Sequence, residues 1–300
     1  MRPASDPDPQ PTGHAPPRQA RKSKWVIEPR RAGLLNRAVE LWNYRRLLWF
    51  FGSGSVRDLY EGTVLGWLWL LIRPAAPLVV WTLVFGRLLN VPSDGIPYFL
   101  FFVAGSATWI VFERSLLWTT KSLAQGRSLI TKVYFPRLIL PVASVAPAIV
   151  YFSIYMAFLV GAILYYGLHD GRWYIVFGPQ LLLAPIAALM SPVLAIAVGL
   201  WTSVWQIRAR DVQFTLRYFT QFWLYLTPVI YPLSTMPEHL RWIAYFNPMT
   251  AVVETFKWSI LGVGGPTVGG AALSLALIAA TLGGGVWYFD RSEAGSVDRI

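Results

Sequence analysis

The chain has 300 residues, 55% of them hydrophobic and only 14% charged, with a mean hydropathy of +0.46. Soluble domains carry about 25% charged residues, so an ordinary soluble fold is excluded as the main architecture. The net charge of +11 would suggest nucleic acid in a soluble protein, and the lack of cysteine excludes a disulfide framework and thiolate metal sites. The apolar residues are concentrated in long blocks without ionisable side chains: Leu138 to Leu168, Trp173 to Ile207, Tyr218 to Pro237 and Pro266 to Phe289. About 20 such residues span the hydrocarbon core as a helix, and in lipid the backbone must satisfy its own hydrogen bonds. A buried helix of a soluble protein explains one such block, not four.

In chain order, residues 1–33 read as a disordered cytoplasmic tail, proline-rich up to Pro17 and then basic at Arg18, Arg21, Lys22, Lys24, Arg30 and Arg31. Met1 to Gln19 lacks the apolar core of a signal peptide. Basic residues beside a bilayer favour anionic lipid, and their simplest role is retention on the cytoplasmic side. Residues 34–61 read as an interface helix and linker. Over 36–51, Arg37, Glu40, Asn43 and Arg46 mark one side, and Ala38, Leu41, Trp42, Leu48 and Trp49 the other. A helix of this kind lies in the interface plane. Gly52-Ser53-Gly54-Ser55 is expected to break it.

Residues 62–289 read as the membrane domain of an all-α protein with six crossings, at 62–88, 97–119, 138–166, about 175–203, about 214–233 and about 267–289. Arg73-Pro74 lies within the first; the arginine is expected to face other helices or a wet cavity, or else the crossing starts later. Between the fifth and sixth crossings, Pro237, Pro248, Glu238, Arg241, Glu254 and Lys257 interrupt an apolar stretch. Two short re-entrant helices, about 237–246 and 248–261, suit it better than one crossing. Glu254 and Lys257 can pair across one helix face, which says little if the pair is exposed. Residues 290–300 form a cytoplasmic C-terminal tail.

Loop charge sets the orientation. Loop 120–137 carries Lys121, Arg127, Lys132 and Arg137 without an acid, and loop 204–217 carries Arg208, Arg210 and Arg217 against Asp211. Residues 89–96 hold no Lys or Arg, and 167–174 hold only Arg172. The bias puts both termini inside and accounts for the high isoelectric point without nucleic acid.

Chemistry of the chain's own is not evident. No Gly-Lys dipeptide is present, so the Walker pattern fails. His14, His169 and His239 are scattered without metal-ligand spacing, and Asp6-Pro7-Asp8 sits in the proline-rich tail. Arg73, Arg87, Glu113 and Arg114 alone approach membrane depth, which does not resemble a proton relay. The chain reads as a membrane path without its own energy source, with no catalytic, cofactor or metal residues.

Three segments carry a resemblance. Gly126-Arg127-Ser128-Leu129-Ile130-Thr131-Lys132-Val133-Tyr134-Phe135-Pro136-Arg137-Leu138-Ile139-Leu140-Pro141 resembles the loop after the second crossing of type-2 ABC permeases. Leu224-Tyr225-Leu226-Thr227-Pro228-Val229-Ile230-Tyr231-Pro232, with Met236-Pro237 and Asn247-Pro248-Met249-Thr250 after it, is similar to their fifth helix and the segment C-terminal to it. Thr63-Val64-Leu65-Gly66-Trp67-Leu68-Trp69 resembles the start of their first crossing. The match covers roughly residues 36–291 and points to the polysaccharide, O-antigen and teichoic-acid export branch; Leu138 departs from it where a glutamate is common.

The resemblance implies a homodimeric permease in the bacterial inner membrane, with two ABC ATPase subunits on separate chains that hold ATP and magnesium. It implies export of a lipid-linked glycan through a channel between protomers, and an interface helix, here Arg37, Glu40, Trp42, Arg46 and Trp49. It also implies a coupling helix seated in the ATPase: Gly126 lets the chain turn, Leu129 and Ile130 enter an apolar cleft, and Arg127 and Lys132 meet acids. Segment 234–262, with Tyr231, Pro237, Asn247 and Pro248, would form an outer gate.

Aromatic residues at helical spacing suit a glycan path: Tyr151 and Tyr155 with Phe158, Phe222 with Tyr218 and Tyr225, Phe219 with Trp223, and Trp109 with Phe112. Pyranose C–H faces lie well on aromatic rings, and many weak, similar contacts permit sliding. The plainer alternative is helix packing or an interfacial belt. Export of a drug or lipid by a related permease is a second function, and a membrane-embedded glycan polymerase or ligase a third. The latter should show a catalytic acid or base on a sizeable outer loop, which the sequence lacks.

Overall fold

A computed structural model describes residues 34–62, 66–130, 132 and 135–296. The proline-rich and basic tail 1–33, Thr63-Val64-Leu65, Thr131, Val133 and Tyr134 of the similarity segments, and 297–300 lie outside the described residues. Every regular element among the described residues is helical.

The amphipathic region forms α1 (Leu34–Asn43) and α2 (Arg45–Arg57), separated at Tyr44. The expected break at Gly52-Ser53-Gly54-Ser55 does not occur, since α2 runs through it. Gly52 is buried, and a Cβ there would lie 3.1 Å from the Ala146 side chain. Close approach to the third membrane helix offsets the roughly 1 kcal/mol that glycine costs inside a helix. The two tryptophans differ from expectation too. Leu41, Leu47, Leu48 and Phe51 pack inward on Phe135, Ile139 and Leu140, while Trp42 and Trp49 stay outside at 70% and 78% exposure. Their indoles therefore suit an interfacial belt rather than the packed side of the helix.

Five helical stretches are long and apolar enough to cross a membrane: Leu68–Leu88, Tyr98–Gln125, Ile139–His169, Pro179–Arg208 and Val268–Ser292. The protein is thus a multi-pass membrane protein of the all-α class. The first stretch starts at Leu68 rather than 62, after a left-handed Gly66. It comprises α3 (Leu68–Trp81), with Pro74 and Pro77 inside it, and a π-helical segment Thr82–Leu88. Next comes α4 (Tyr98–Gln125), followed by the short α5 (Arg127–Ile130). The third stretch divides into α6 (Ile139–Ala143) and α7 (Ala146–His169) ahead of Pro147, and the fourth is a 3-10 turn followed by α8 (Leu183–Arg208).

The expected fifth crossing over 214–233 takes a different form. Helix α9 covers only Val212–Leu226, 15 residues. At 1.5 Å per residue that is about 22 Å, short of the roughly 30 Å hydrocarbon core. Thr227 is extended because it precedes Pro228, whose ring disfavours the α region for the residue before it. Two short helices come next, α10 (Glu238–Tyr245) and α11 (Pro248–Leu261), with bounds close to those read from the sequence. The last helix, α12 (Val268–Ser296), continues past 290, where a tail is expected.

Helix α4 is the hub. It packs on α7, α8 and α11, and Leu100, Phe101, Val103, Ala104, Phe112 and Leu116 are fully or almost fully buried. Small polar side chains tie it to α8: Thr120 and Thr202 hydroxyls lie 2.6 Å apart, and Ser191 Oγ donates to the Thr108 carbonyl at 2.7 Å. By contrast, little of the first apolar stretch, Leu68–Leu88, is buried within this chain. Helix α9 likewise presents Tyr218, Phe219, Phe222, Tyr225 and Leu226 outward.

Candidate functional site

The basic loop after α4 begins at Gly126, which caps that helix with φ −80°. The chain turns here between α4 and α5 without a left-handed backbone. A Cβ at this position would instead collide with the Leu140 side chain, so the glycine admits the close approach of α6. Arg127 and Lys132 are exposed, whereas Leu129 and Ile130 are half-buried. The two apolar residues pack in their own chain, against Phe135, Ile139 and Leu140 beside α2. The loop thus offers its cations outward and anchors itself with the side chains the sequence assigned to a partner's cleft.

A cavity of about 210 Å³ opens among α3, α4, α7 and α9. Arg73, Glu113, Arg114, Trp109, Tyr151 and Tyr155 are among the residues that line it. Arg73 therefore faces a cavity, one of the alternatives left open by the sequence. Its guanidinium lies 5.6 Å from the Trp69 ring centre, and that of Arg114 lies 5.3 Å from the Tyr151 ring centre, both within cation–π range. The aromatic residues proposed for a glycan path divide into groups. Trp109, Tyr151 and Tyr155 wall the cavity. Phe112 is fully buried, 5.4 Å from Trp109 and 4.8 Å from Trp223 between ring centres. Trp223 in turn meets Phe219 at 5.3 Å, and Phe219 and Phe222 are on the exposed face of α9. A continuous aromatic row thus runs from the cavity wall to that face.

The α9–α11 junction is built on Asn247. As N-cap of α11 its Oδ1 accepts from Met249 N at 3.0 Å and from Trp223 Nε1 at 2.8 Å, while its Nδ2 donates to Thr227 Oγ1 at 2.8 Å. Pro248 occupies N1 of α11, where a missing N–H costs nothing. Tyr231 OH donates to the Tyr225 carbonyl at 2.9 Å, closing the bend after α9. Pro237 precedes α10, and Arg241 holds that entry by donating to the Met236 and Ser234 carbonyls.

Sequence reasoning offered the Glu254–Lys257 pair but not its burial, which makes it the most consequential contact here. Glu254 and Lys257 are 1% and 0% exposed, with Lys257 Nζ 2.5 Å from Glu254 Oε1. Lys257 Nζ also donates to the Pro228 carbonyl at 3.0 Å and lies 4.0 Å from the Phe101 ring centre. Glu254 Oε2 accepts from Gly265 N at 3.2 Å. One ion pair therefore joins α11 to the bend after α9, to α4 and to the loop before α12. The clue was present in the sequence: two opposite charges at i, i+3 among apolar residues on both sides.

The interface helix is tied by charge to the far end of the chain. Arg37 bonds Glu40 at 2.8 Å and Asp290 of α12 at 2.8 Å. Burial lowers the guanidinium pKa, but the hydrogen bonds and charges of Glu40 and Asp290 outweigh it and raise the pKa above the ordinary arginine value. Arg46 is exposed on α2.

Comparison with known proteins agrees with this layout. The sequence pattern of the ABC-2 type transporter family matches residues 46–261, from α2 through α11. An O-antigen export system permease protein RfbA of Myxococcus xanthus is 26% identical over 220 residues, covering 73% of this chain and 81% of that protein. Two Klebsiella pneumoniae proteins with the same description are 23% and 24% identical over 211 and 212 residues, each covering 70% of this chain and 78% of the relative. The chain is a membrane-spanning member of the ABC-2 type transporter family.

Proposed function

We propose that the chain is the permease subunit of an exporter that moves a lipid-linked polysaccharide of O-antigen, capsule, teichoic-acid or galactan type across the bacterial inner membrane. The observation that carries this reading is the extended match to three relatives that share an O-antigen export description. On this reading the protein works as a homodimer with two separate ABC ATPase subunits that bind ATP and magnesium, and it catalyses no reaction itself. The exposed faces of α3 and α9 support a second protomer there, because apolar and aromatic side chains lie open along both. On this reading both termini are cytoplasmic, which the Lys and Arg bias of loops 120–137 and 204–217 supports. Helix α9 with the bend through Pro228 makes the shortened fifth of six crossings, and α10 and α11 form the re-entrant outer gate around Tyr231, Pro237, Asn247 and Pro248.

The exposed cations Arg127 and Lys132 make the first contact with acids of the ATPase, on a loop held in place by Leu129 and Ile130. Arg127→Glu should cut recovery of the ATPase in a pull-down from membranes while the permease remains folded. Deleting the gene should cause a lipid-linked glycan to accumulate on the cytoplasmic side. A strain with normal surface glycan and no such build-up would overturn the proposal.

A further inference from the structure

We infer that the cavity between α3, α4 and α7 binds the phosphate group of a membrane-embedded lipid, gripped by Arg73 and Arg114. Charged side chains inside a bilayer are normally paired, since leaving one bare costs several kcal/mol. These two are not paired. Among the described residues, no carboxylate lies within ion-pair distance of either guanidinium, although Glu113 lines the same cavity. Arg114 Nε is buried without any hydrogen-bond partner. Formal charge on the wall is two arginines against one glutamate, and Arg217 of α9 adds positive charge near Glu113.

The shape of the donors suits phosphate. A guanidinium presents a planar fork that matches phosphate oxygens, and the Trp69 and Tyr151 rings restrain the two forks. Size selects a compact group. A volume of about 210 Å³ is below the roughly 300–1,000 Å³ of drug-sized pockets, and equals about seven waters at ~30 Å³ each. A headgroup phosphate or pyrophosphate fits that space. Position agrees as well. Arg73 lies in the second turn of α3, and Arg114 is about three turns from the end of α4. Arg73 is thus near the N-terminal end of α3, and Arg114 lies just past the middle of α4. An arginine in the second turn can reach the interface unaided, but one three turns in cannot do so as readily.

The phosphate has two possible sources: the lipid end of the transported glycan, which rests on the export reading above, or a bilayer phospholipid. The full-length protein in phosphatidylcholine nanodiscs would be titrated with radiolabelled farnesyl pyrophosphate, with unlabelled farnesol as competitor. Saturable binding that farnesol does not displace is expected. Arg114→Gln should weaken it about ten- to a hundredfold, the value of a lost charge-assisted hydrogen bond, and Arg114→Lys by less. Arg73→Gln, at an exposed position, keeps the test valid if the half-buried Arg114 variant does not fold. In phosphatidylglycerol nanodiscs, loss of the signal assigns the site to bilayer phospholipid, and persistence assigns it to a carrier pyrophosphate; both support a phosphate site. Binding unchanged in the Arg73→Gln/Arg114→Gln protein, or full displacement by farnesol, overturns the inference. Neither result touches the export reading, which stands or falls on glycan accumulation in the deletion strain.

Discussion

Replacing Lys257 by methionine probes the buried ion pair most directly. The side chains are similar in length, so packing against Phe101 is largely kept while the charge is lost. Three interactions go at once: the 2.5 Å contact with Glu254, the hydrogen bond to the Pro228 carbonyl and the cation–π contact with Phe101. Glu254 is left at 1% exposure with Gly265 N as its one hydrogen-bond donor. Removing one partner of a buried pair costs about 3–5 kcal/mol, whereas replacing both by neutral groups is often near neutral. In Glu254→Gln/Lys257→Met the glutamine can still accept from Gly265 N. What remains is the Pro228 carbonyl without its donor, about 1–3 kcal/mol. The double variant should therefore be more stable than Lys257→Met alone. Thermal unfolding of purified protein, followed by tryptophan fluorescence for the wild type, both singles and the double, measures this. Single-variant losses that simply add in the double, or a Lys257→Met loss below about 1 kcal/mol, would refute the claim that this pair joins α11, α4 and the α9 bend.

Arg37→Ala should cost about 1 kcal/mol, less than a fully buried charged hydrogen bond because both acids keep some solvent. High salt should shrink the difference in melting temperature from the wild type. Asn247→Ala should cost about 1–2 kcal/mol through the lost N-cap and the orphaned Trp223 Nε1, read in the same unfolding assay. Gly52→Val should push α2 off Ala146 at about 1–3 kcal/mol, read as faster proteolysis between residues 45 and 62.

How much of this was legible from sequence depends on the kind of information. Hydropathy alone located five of the six expected crossings, because the bilayer imposes a length of apolar chain that no local choice can evade, but not the short form of α9. Prolines marked α10 and α11 to within a residue or two, since a missing N–H and a fixed φ act locally. The motifs around Gly126 and Pro228 located the family before any contact was known. Against that, glycine at 52 read as a helix breaker and proved to be a packing surface, because propensity does not register a neighbouring helix. The contact of Leu129 and Ile130 with Phe135, Ile139 and Leu140 was not legible either, because hydrophobicity does not say which apolar surface a side chain will meet.

The composition and charge pattern of this chain determined that it is helical, embedded in a membrane and basic along its short loops, because those features derive from period, length and solvation. Only the tertiary structure decided that Arg73, Glu113 and Arg114 share one cavity and that Glu254 and Lys257 are sealed from solvent. Those groups come from segments far apart in the chain, or owe their burial to such segments. The dielectric around a charge is set by what folds over it, not by its neighbours in sequence.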